Sequence, residues 1–286
     1  MLWQGRRQSS NIEDRRGFGG KGLAVGGGIG SLIIAAVIYL LGGNPNQVLN
    51  TDPYAQGQQA TTEQLNDSSS QFVATVLADT EDIWAKLFNE MNKPYTSTTL
   101  VMFNQATTSG CGTASQSTGP FYCPADSKVY IDLSFFQEMK DRFHAAGDFA
   151  EAYVIAHEVG HHVQHLLGIT DAVDAQRARR DEKEMNKLSV KLELQADFYA
   201  GVWAHYEAQQ VNPQFNAAVI QPGDIEEALN AANAIGDDRL QQQSQGYVVP
   251  DAFTHGTSAQ RIYWFKKGYA TGDINQGDTF NDPSLN

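Results

Sequence analysis

The feature that most constrains this chain is the stretch YVIAHEVGHHVQHLLG at 153–168, which holds four of the protein's seven histidines. His157, Glu158 and His161 fit the pattern H-E-x-x-H. On an α-helix, residues four apart project on the same side, so the two imidazoles can bind one Zn²⁺ at ~2.0–2.1 Å. Glu158 is then placed to reach a metal-bound water without binding the metal itself. We therefore predict a buried helix over 147–167 that carries a metal site.

The other two histidines of this stretch do not suit the same ion. His162 projects roughly 140° away from His157 around the helix axis, and His165 lies about 12 Å from it along the axis. We interpret both as packing or polar-network residues. The metal therefore needs a third ligand from another part of the chain.

A downstream acid is the candidate for that third ligand. A third histidine in the longer H-E-x-x-H-x-x-G-x-x-H pattern is excluded, because Gln164 and Leu167 occupy the glycine and histidine positions. The stretch ELQADFYAG at 193–201 supplies Glu193 and Asp197, one turn apart within an apolar helix, where unpaired carboxylates are costly. We favour Glu193 as the ligand and Asp197 as the acceptor of a histidine N–H. Asp197 as the ligand is the alternative.

Two further candidates lie in FTHGTSAQR at 253–261. His255 lies in a loop beside Gly256, where binding and catalytic residues are common. Arg261 follows on a helix that begins with a capping residue. A group is needed to stabilise the oxyanion that forms when water attacks a carbonyl, and His255 is our candidate for it.

The N-terminal part contains an apolar run without charge over 23–41, which as a helix spans about 28 Å, close to the thickness of a bilayer core. Basic residues precede it, and none follows until Lys86. By the positive-inside rule we predict a cytoplasmic basic tail over 1–22, a single-pass signal-anchor over 23–41, a linker over 42–61 and an extracytoplasmic domain over 62–286. A cleaved signal peptide or a twin-arginine signal is less favoured, because no small-residue cleavage site follows the run.

The two cysteines, Cys111 and Cys123, bracket a short loop. Outside the cytoplasm, a disulfide that closes this loop is the natural interpretation. Such a bridge contributes roughly 2–3 kcal/mol in the chain-entropy model.

The charge of the chain excludes one class of partner. It has 20 basic residues against 33 acidic ones, which gives a formal charge of -13. Phosphate binding needs the opposite sign, so we expect no nucleic acid as a partner.

Periodicity predicts the secondary structure and the fold class. Apolar residues recur at helical spacing over 62–91, 136–143, 147–167, 171–209, 224–236 and 258–268. Runs rich in β-branched and aromatic residues predict strands over 96–105 and 127–135. This order predicts an α+β fold with a small sheet, plus one N-terminal transmembrane helix. The strand over 127–135 could bind an extended peptide by edge pairing.

Taken together, HEVGHH, ELQADFYAG and THGTSAQR, preceded by QGRRQSSNIEDRRG, resemble the bacterial neutral zinc metallopeptidase family over essentially the whole chain. The last two of the three motifs also resemble those of CaaX-prenyl-protease and heat-shock-type membrane proteases, which are gluzincins. The resemblance implies a zincin-like metallopeptidase domain that binds one zinc ion. It implies Glu193 as the third ligand, His255 as a residue that contacts the substrate or transition state, and Arg261 as a structural or site-orienting residue. Gly256 stands where those membrane proteases usually have proline.

We therefore expect a membrane-anchored zinc metalloendopeptidase on the periplasmic side of the bacterial inner membrane, with Glu158 as general base and a peptide or protein as substrate. The alternative is a non-catalytic zinc-binding chaperone or adaptor at the membrane, which would bind zinc without turnover. A third hypothesis, a metal-free anchor or scaffold, predicts no stoichiometric zinc.

Overall fold

The computed structural model describes residues 1–16, 67–115 and 118–285, which form a mixed structure of helices and a small sheet. The main sheet has four strands in the order β1-β2-β6-β5, with β5 antiparallel to β6 and the other pairs parallel. Two short antiparallel pairs, β3-β4 and β7-β8, lie outside it. The strands are β1 (Ile12–Asp14), β2 (Thr99–Phe103), β3 (Ala106–Ser109), β4 (Gly112–Ser115), β5 (Phe121–Cys123), β6 (Lys128–Asp132), β7 (Val211–Asn212) and β8 (Ala217–Ala218).

The helices enclose one central helix, α3. They are α1 (Ser68–Glu90), α2 (Ser134–Asp141), α3 (Asp148–Leu166), α4 (Ile169–Asp174), α5 (Glu182–Glu207), α6 (Asp224–Ala234), α7 (Asp237–Gln245) and α8 (Ser258–Thr271). Helix α3 contacts α1, α5 and α6 as well as strands β5 and β6, and α8 packs along α5. Because α3 is surrounded, its sequence is apolar on most sides, and four of its polar residues, His157, Glu158, His162 and Gln164, are buried with it.

The stretch 171–209, which we predicted as one helix, is interrupted. Helix α4 ends at Asp174, and a single 3₁₀ turn follows at Arg177–Arg179. Helix α5 begins only after Asp181, whose side chain accepts a hydrogen bond from the backbone N–H of Glu184 and so caps the new helix. Asp181 lies within a run of charged residues, so the N-cap resembles the helix that follows in composition. The spacing of apolar residues therefore did not reveal the break between the two helices.

Strand β5 forms the edge of the main sheet. The predicted strand over 127–135 corresponds to β6, which is hydrogen-bonded to β2 on one side and to β5 on the other. An added peptide therefore cannot pair with β6, and our edge-pairing hypothesis was wrong for that strand. The predicted disulfide is confirmed: Cys123 of β5 is bonded to Cys111, which follows β3.

The N-terminal segment, residues 1–16, belongs to the same folded unit as the rest. Strand β1 pairs with β2 in parallel, and the Ile12 side chain is fully buried. The Arg6 guanidinium lies 3.0 Å from the buried Asp79 carboxylate of α1 and also contacts the buried Glu207 carboxylate at the end of α5. A basic residue that we assigned to a cytoplasmic tail is therefore the countercharge of two buried acids.

This packing corrects our prediction of a single-pass membrane protein. Residues 1–16 and 67–285 share a sheet and a core, and Arg16 is paired with Asp67 at 2.9 Å. A single pass between them would place them on opposite sides of a bilayer. Within the described ranges no helix is both long and apolar enough to cross a membrane, and the predicted span over 23–41 lies outside those ranges. The transmembrane helix in our fold class and the single-pass localisation were wrong. The domain boundaries at residues 22, 41 and 61 also lie outside the described residues and stay predictions.

Arg6 gives a test of the packed N-terminal segment. We expect Arg6→Ala to lower the free energy of unfolding at pH 8 by about 3–5 kcal/mol, because two buried carboxylates lose their countercharge. Burial raises the pKa of both Asp79 and Glu207, so the loss should be smaller at pH 5, where a proton can replace the guanidinium. Urea denaturation measures both values.

The matched control is Arg7→Ala, because the half-exposed Arg7 pairs with the exposed Asp82 of α1 and with Glu81, which keeps its hydrogen bonds from Ser9 and Asn11 when Arg7 is removed. We expect it to cost no more than about 1 kcal/mol. Equal effects of the two substitutions would contradict the packing of residues 1–16 described above.

Candidate metal centre

The predicted histidine helix is α3, and it places His157, Glu158 and His161 around one point of its surface. The rings of His157 and His161 are perpendicular, with their centroids 4.9 Å apart. His157 and Glu158 are both buried. The four-residue spacing therefore brings the two imidazoles together as predicted.

Gly160 lets α5 approach this surface closely. A Cβ atom at position 160 would lie 3.0 Å from the Ala196 carbonyl oxygen and 3.2 Å from its Cα, so a larger residue would push the helices apart. The approach brings Glu193 between the histidines. Its Oε2 lies 3.1 Å from His157 Nε2, and its Oε1 lies 3.4 Å from His161 Nε2.

These three residues fit a zinc ion. One ligand atom from each of His157, His161 and Glu193 lies within 4.8 Å of the others. Ligands bound tetrahedrally at ~2.0–2.1 Å are separated by roughly 3.3 Å, which matches the observed spacing. Two imidazoles and one carboxylate form a donor set that suits zinc and leaves a fourth position for water.

Asp197 contacts the Nδ1 edge of the His157 ring, on the side away from Glu193. Its Oδ1 lies 2.9 Å from His157 Nδ1, which leaves Nε2 facing Glu193. Arg261 of α8 donates to both Asp197 oxygens, at 2.8 and 3.0 Å, and the Tyr153 hydroxyl donates to Oδ1. Burial alone would raise the pKa of Asp197, but the charges of Arg261 and His157 lower it to about 2. The carboxylate therefore stays ionised in a fully buried position.

Gln164 plays the corresponding role for His161, a role that we did not predict from the sequence. Its Oε1 lies 2.8 Å from His161 Nδ1, while its amide nitrogen donates to the Leu192 carbonyl at 2.7 Å and to Gln195. These two donations fix the orientation of the amide, so that its oxygen Oε1 faces His161. Because an amide oxygen only accepts, His161 Nδ1 carries the proton and Nε2 is free to bind a metal. The signal was the three-residue spacing between His161 and Gln164 on one helix.

Asp237, at the start of α7, organises the loop that carries His255, and it too was missed. Its Oδ2 accepts from the backbone N–H groups of Thr254, His255 and Gly256 at 2.6–3.0 Å. Its Oδ1 lies 3.3 Å from His255 Nδ1. Gly256 adopts a φ of 88°, which proline cannot reach, so the loop differs from a proline-containing one. Nothing local in the sequence links Asp237 to a histidine on a separate loop.

His162 and His165 do not join the site. His162 is buried, with Nε2 2.6 Å from the Thr96 carbonyl oxygen and Nδ1 3.1 Å from the Tyr122 hydroxyl, and burial lowers its pKa to about 4. His165 lies 3.9 Å from the exposed Asp171. The polar-network interpretation holds for His162 on this geometry.

The site opens into a cleft of about 710 Å³. His157, His161 and Glu193 line it together with Glu158, His255 and Arg261. Burial raises the pKa of the Glu158 carboxyl above its ordinary value, and the neighbouring Glu193 charge adds to this effect. The cleft therefore exposes to a bound molecule a candidate metal site, a carboxylate with raised pKa and a loop histidine.

A second cluster of acids has different chemistry. Asp148, Asp224 and Glu227 also bring three oxygens within 4.8 Å of one another. The Met1 ammonium group lies 2.5 Å from Asp148 and 3.2 Å from Asp224, so a cation of the chain itself already contacts two of the three. The histidine-containing site is the better zinc candidate among the described residues.

Comparisons with known proteins agree with this assignment. A family model described as "Putative neutral zinc metallopeptidase" matches residues 1–280, a region that includes the packed N-terminal segment. The chain is 50% identical over 290 residues to "Uncharacterized protein YpfJ" of Escherichia coli (strain K12), covering 98% of the chain and 99% of that protein. It is 40% identical over 260 residues to "Uncharacterized protein Rv2575" of Mycobacterium tuberculosis (strain H37Rv), covering 86% of each. No solved structure matches the chain.

The contact between Gln164 and His161 predicts an effect on metal affinity. We expect Gln164→Leu to weaken zinc binding roughly 10- to 100-fold, because His161 loses the acceptor that fixes its orientation. Competition with a zinc-binding dye measures the affinity. Gln164→Glu keeps an acceptor at this place but loses the donations to Leu192 and Gln195, so we expect a zinc affinity between that of the Leu variant and that of the unmodified protein. If the Leu variant binds zinc as tightly as the Glu variant, Gln164 does not orient His161.

Proposed function

Because the chain belongs to the neutral zinc metallopeptidase family, we propose that it is a zinc-dependent endopeptidase with Glu158 as its general base. The observation that carries the proposal is the convergence of His157, His161 and Glu193 beside Glu158 in an open cleft. A structural zinc site does not need a general base such as Glu158, and it usually has four protein ligands and no open position.

The chain's own residues define how the metal would be held. His157, His161 and Glu193 would bind it, and Asp197 and Gln164 would keep each imidazole in the tautomer with a free Nε2. When bound, zinc supplies a water of lowered pKa and polarises the carbonyl of the scissile bond.

Glu158 would move the proton in both halves of the reaction. It takes a proton from the attacking water, and it passes this proton to the amine nitrogen as the C–N bond breaks. Because burial raises its pKa, Glu158 holds the proton more readily than an exposed carboxylate does and can return it to the leaving group.

His255 would contribute a hydrogen bond to the oxyanion. Partial desolvation works to lower the pKa of the half-exposed His255 imidazole, but the Asp237 hydrogen bond and the Glu193 charge raise it above its ordinary value. A protonated imidazole has N–H groups on both nitrogens, so one can remain with Asp237 while the other donates into the cleft. In this arrangement Asp237 positions His255, and Arg261 positions His157 through Asp197.

Substitution of the base separates a peptidase from a zinc-binding adaptor. We expect Glu158→Gln to lower the rate of casein hydrolysis by at least about 100-fold, while the zinc content stays at one ion per chain. Casein digestion and metal analysis on the same preparation give both values. Full activity in this variant would refute the assignment of Glu158. Zinc binding without hydrolysis by the unmodified protein would favour the adaptor instead.

A further inference from the structure

We propose that the cleft selects polypeptide segments with a bulky, uncharged apolar side chain, best an aromatic one, beside the bond to be cut. The subsite is an aromatic wall formed by Tyr122, Phe135 and Phe143, which line the cleft together with the candidate catalytic residues. This inference rests on the proposed peptidase function and names the substrate class for that site.

The position of the wall next to the scissile bond follows from α3. Val154 also lines the cleft and lies one turn before Glu158, about 6 Å along the helix axis. Tyr122 belongs to the edge strand β5, which contacts α3, and its ring centroid lies 5.5 Å from that of His162 on this helix. A substrate group that lies against Val154 is therefore within about one residue of the carbonyl that Glu158 serves.

The rings of the wall are held in place but remain partly uncovered. The Tyr122 ring packs against the rings of His162 and His165, whereas Phe121 points to the opposite face of the sheet, stacks on Tyr130 and is not part of the wall. The Tyr122 hydroxyl lies 3.1 Å from His162 Nδ1, so its polar end already has a partner. Phe135, at the start of α2, and Phe143, two residues after its end, are each only partly buried. Covering such surface with a substrate phenyl ring removes apolar area from water and so favours binding.

The charges at the rim of the cleft do not select an ionic side chain. Glu138 is paired with Arg142, and Asp174 is paired with Arg177 at 3.1 Å. Each pair lies within a short stretch of chain and cancels its own charge. The apolar surface therefore decides which side chain binds best, because an acidic or basic group meets a partner that is already neutralised.

Peptide binding tests the wall without depending on turnover. The protein is zinc-loaded Glu158→Gln, which keeps the metal ligands but lacks the base. The probes are two blocked hexapeptides of alanine that differ only in having phenylalanine or serine at the fourth position, titrated by calorimetry. We expect the phenylalanine peptide to bind about 10-fold or more tightly. Adding Phe135→Ala or Phe143→Ala should reduce this ratio at least about 3-fold.

Two further variants control the result. Phe215→Ala removes an exposed phenylalanine that does not line the cleft, and it should leave the ratio unchanged. Phe135→Leu keeps an apolar side chain and should retain most of the preference. This variant therefore separates the loss of apolar surface in Phe135→Ala from a loss of the fold. Thermal denaturation of each variant verifies that it is folded.

Three results would overturn the aromatic wall as the subsite: equal binding of the two peptides, no binding of either, or a preference that survives both Phe135→Ala and Phe143→Ala. Casein digestion by the unmodified protein is measured in parallel. Casein hydrolysis without a peptide preference refutes the wall alone. A wall-dependent preference without casein hydrolysis supports the wall as a binding surface and refutes the peptidase function.

Discussion

The buried carboxylate of Asp197 is the interaction on which the rest of the site depends. From α5 it contacts Arg261 of α8 and both Tyr153 and His157 of α3, and none of these groups is exposed. An ion left unpaired in such a place costs several kcal/mol, so the three helices cannot shift apart without a large penalty. The packing of α3, α5 and α8 is therefore fixed by charge as well as by apolar contact, and with it the orientation of one candidate metal ligand.

The same helix that places Asp197 also places the candidate metal-binding carboxylate, Glu193. Glu193 lies one turn earlier on α5, so the rotation that buries Asp197 behind His157 turns Glu193 toward the Nε2 atoms of both histidines. The missing Cβ at Gly160 permits the short distance between α3 and α5 that this requires. Two four-residue spacings on two closely packed helices thus bring together three candidate metal ligands and the residues that orient them.

This part of the site could be predicted from the sequence because helical periodicity links residues that are only three or four positions apart. The H-E-x-x-H pattern and the Glu193–Asp197 spacing each lie within one turn, and the structure brings them together as the spacing predicted. Asp237 and Arg6 act over long sequence distances, 18 and 201 residues from His255 and Glu207, and no pattern in a short window links such pairs. The basic N-terminal residues therefore matched a positive-inside signal, although Arg6 lies in the core as a countercharge. Gln164 was within reach of the spacing argument, but a glutamine on a helix has no distinctive pattern.

The most direct test of the metal site is an anomalous difference map, measured at the zinc absorption edge on crystals of the zinc-loaded protein. We expect one strong peak at ~2.0–2.2 Å from Nε2 of His157, Nε2 of His161 and a carboxylate oxygen of Glu193. We also expect Asp197 to stay hydrogen-bonded to His157 Nδ1 and Arg261. A peak bound by Asp197 in place of Glu193, a peak only at the Asp148 cluster, or no peak at all would contradict it.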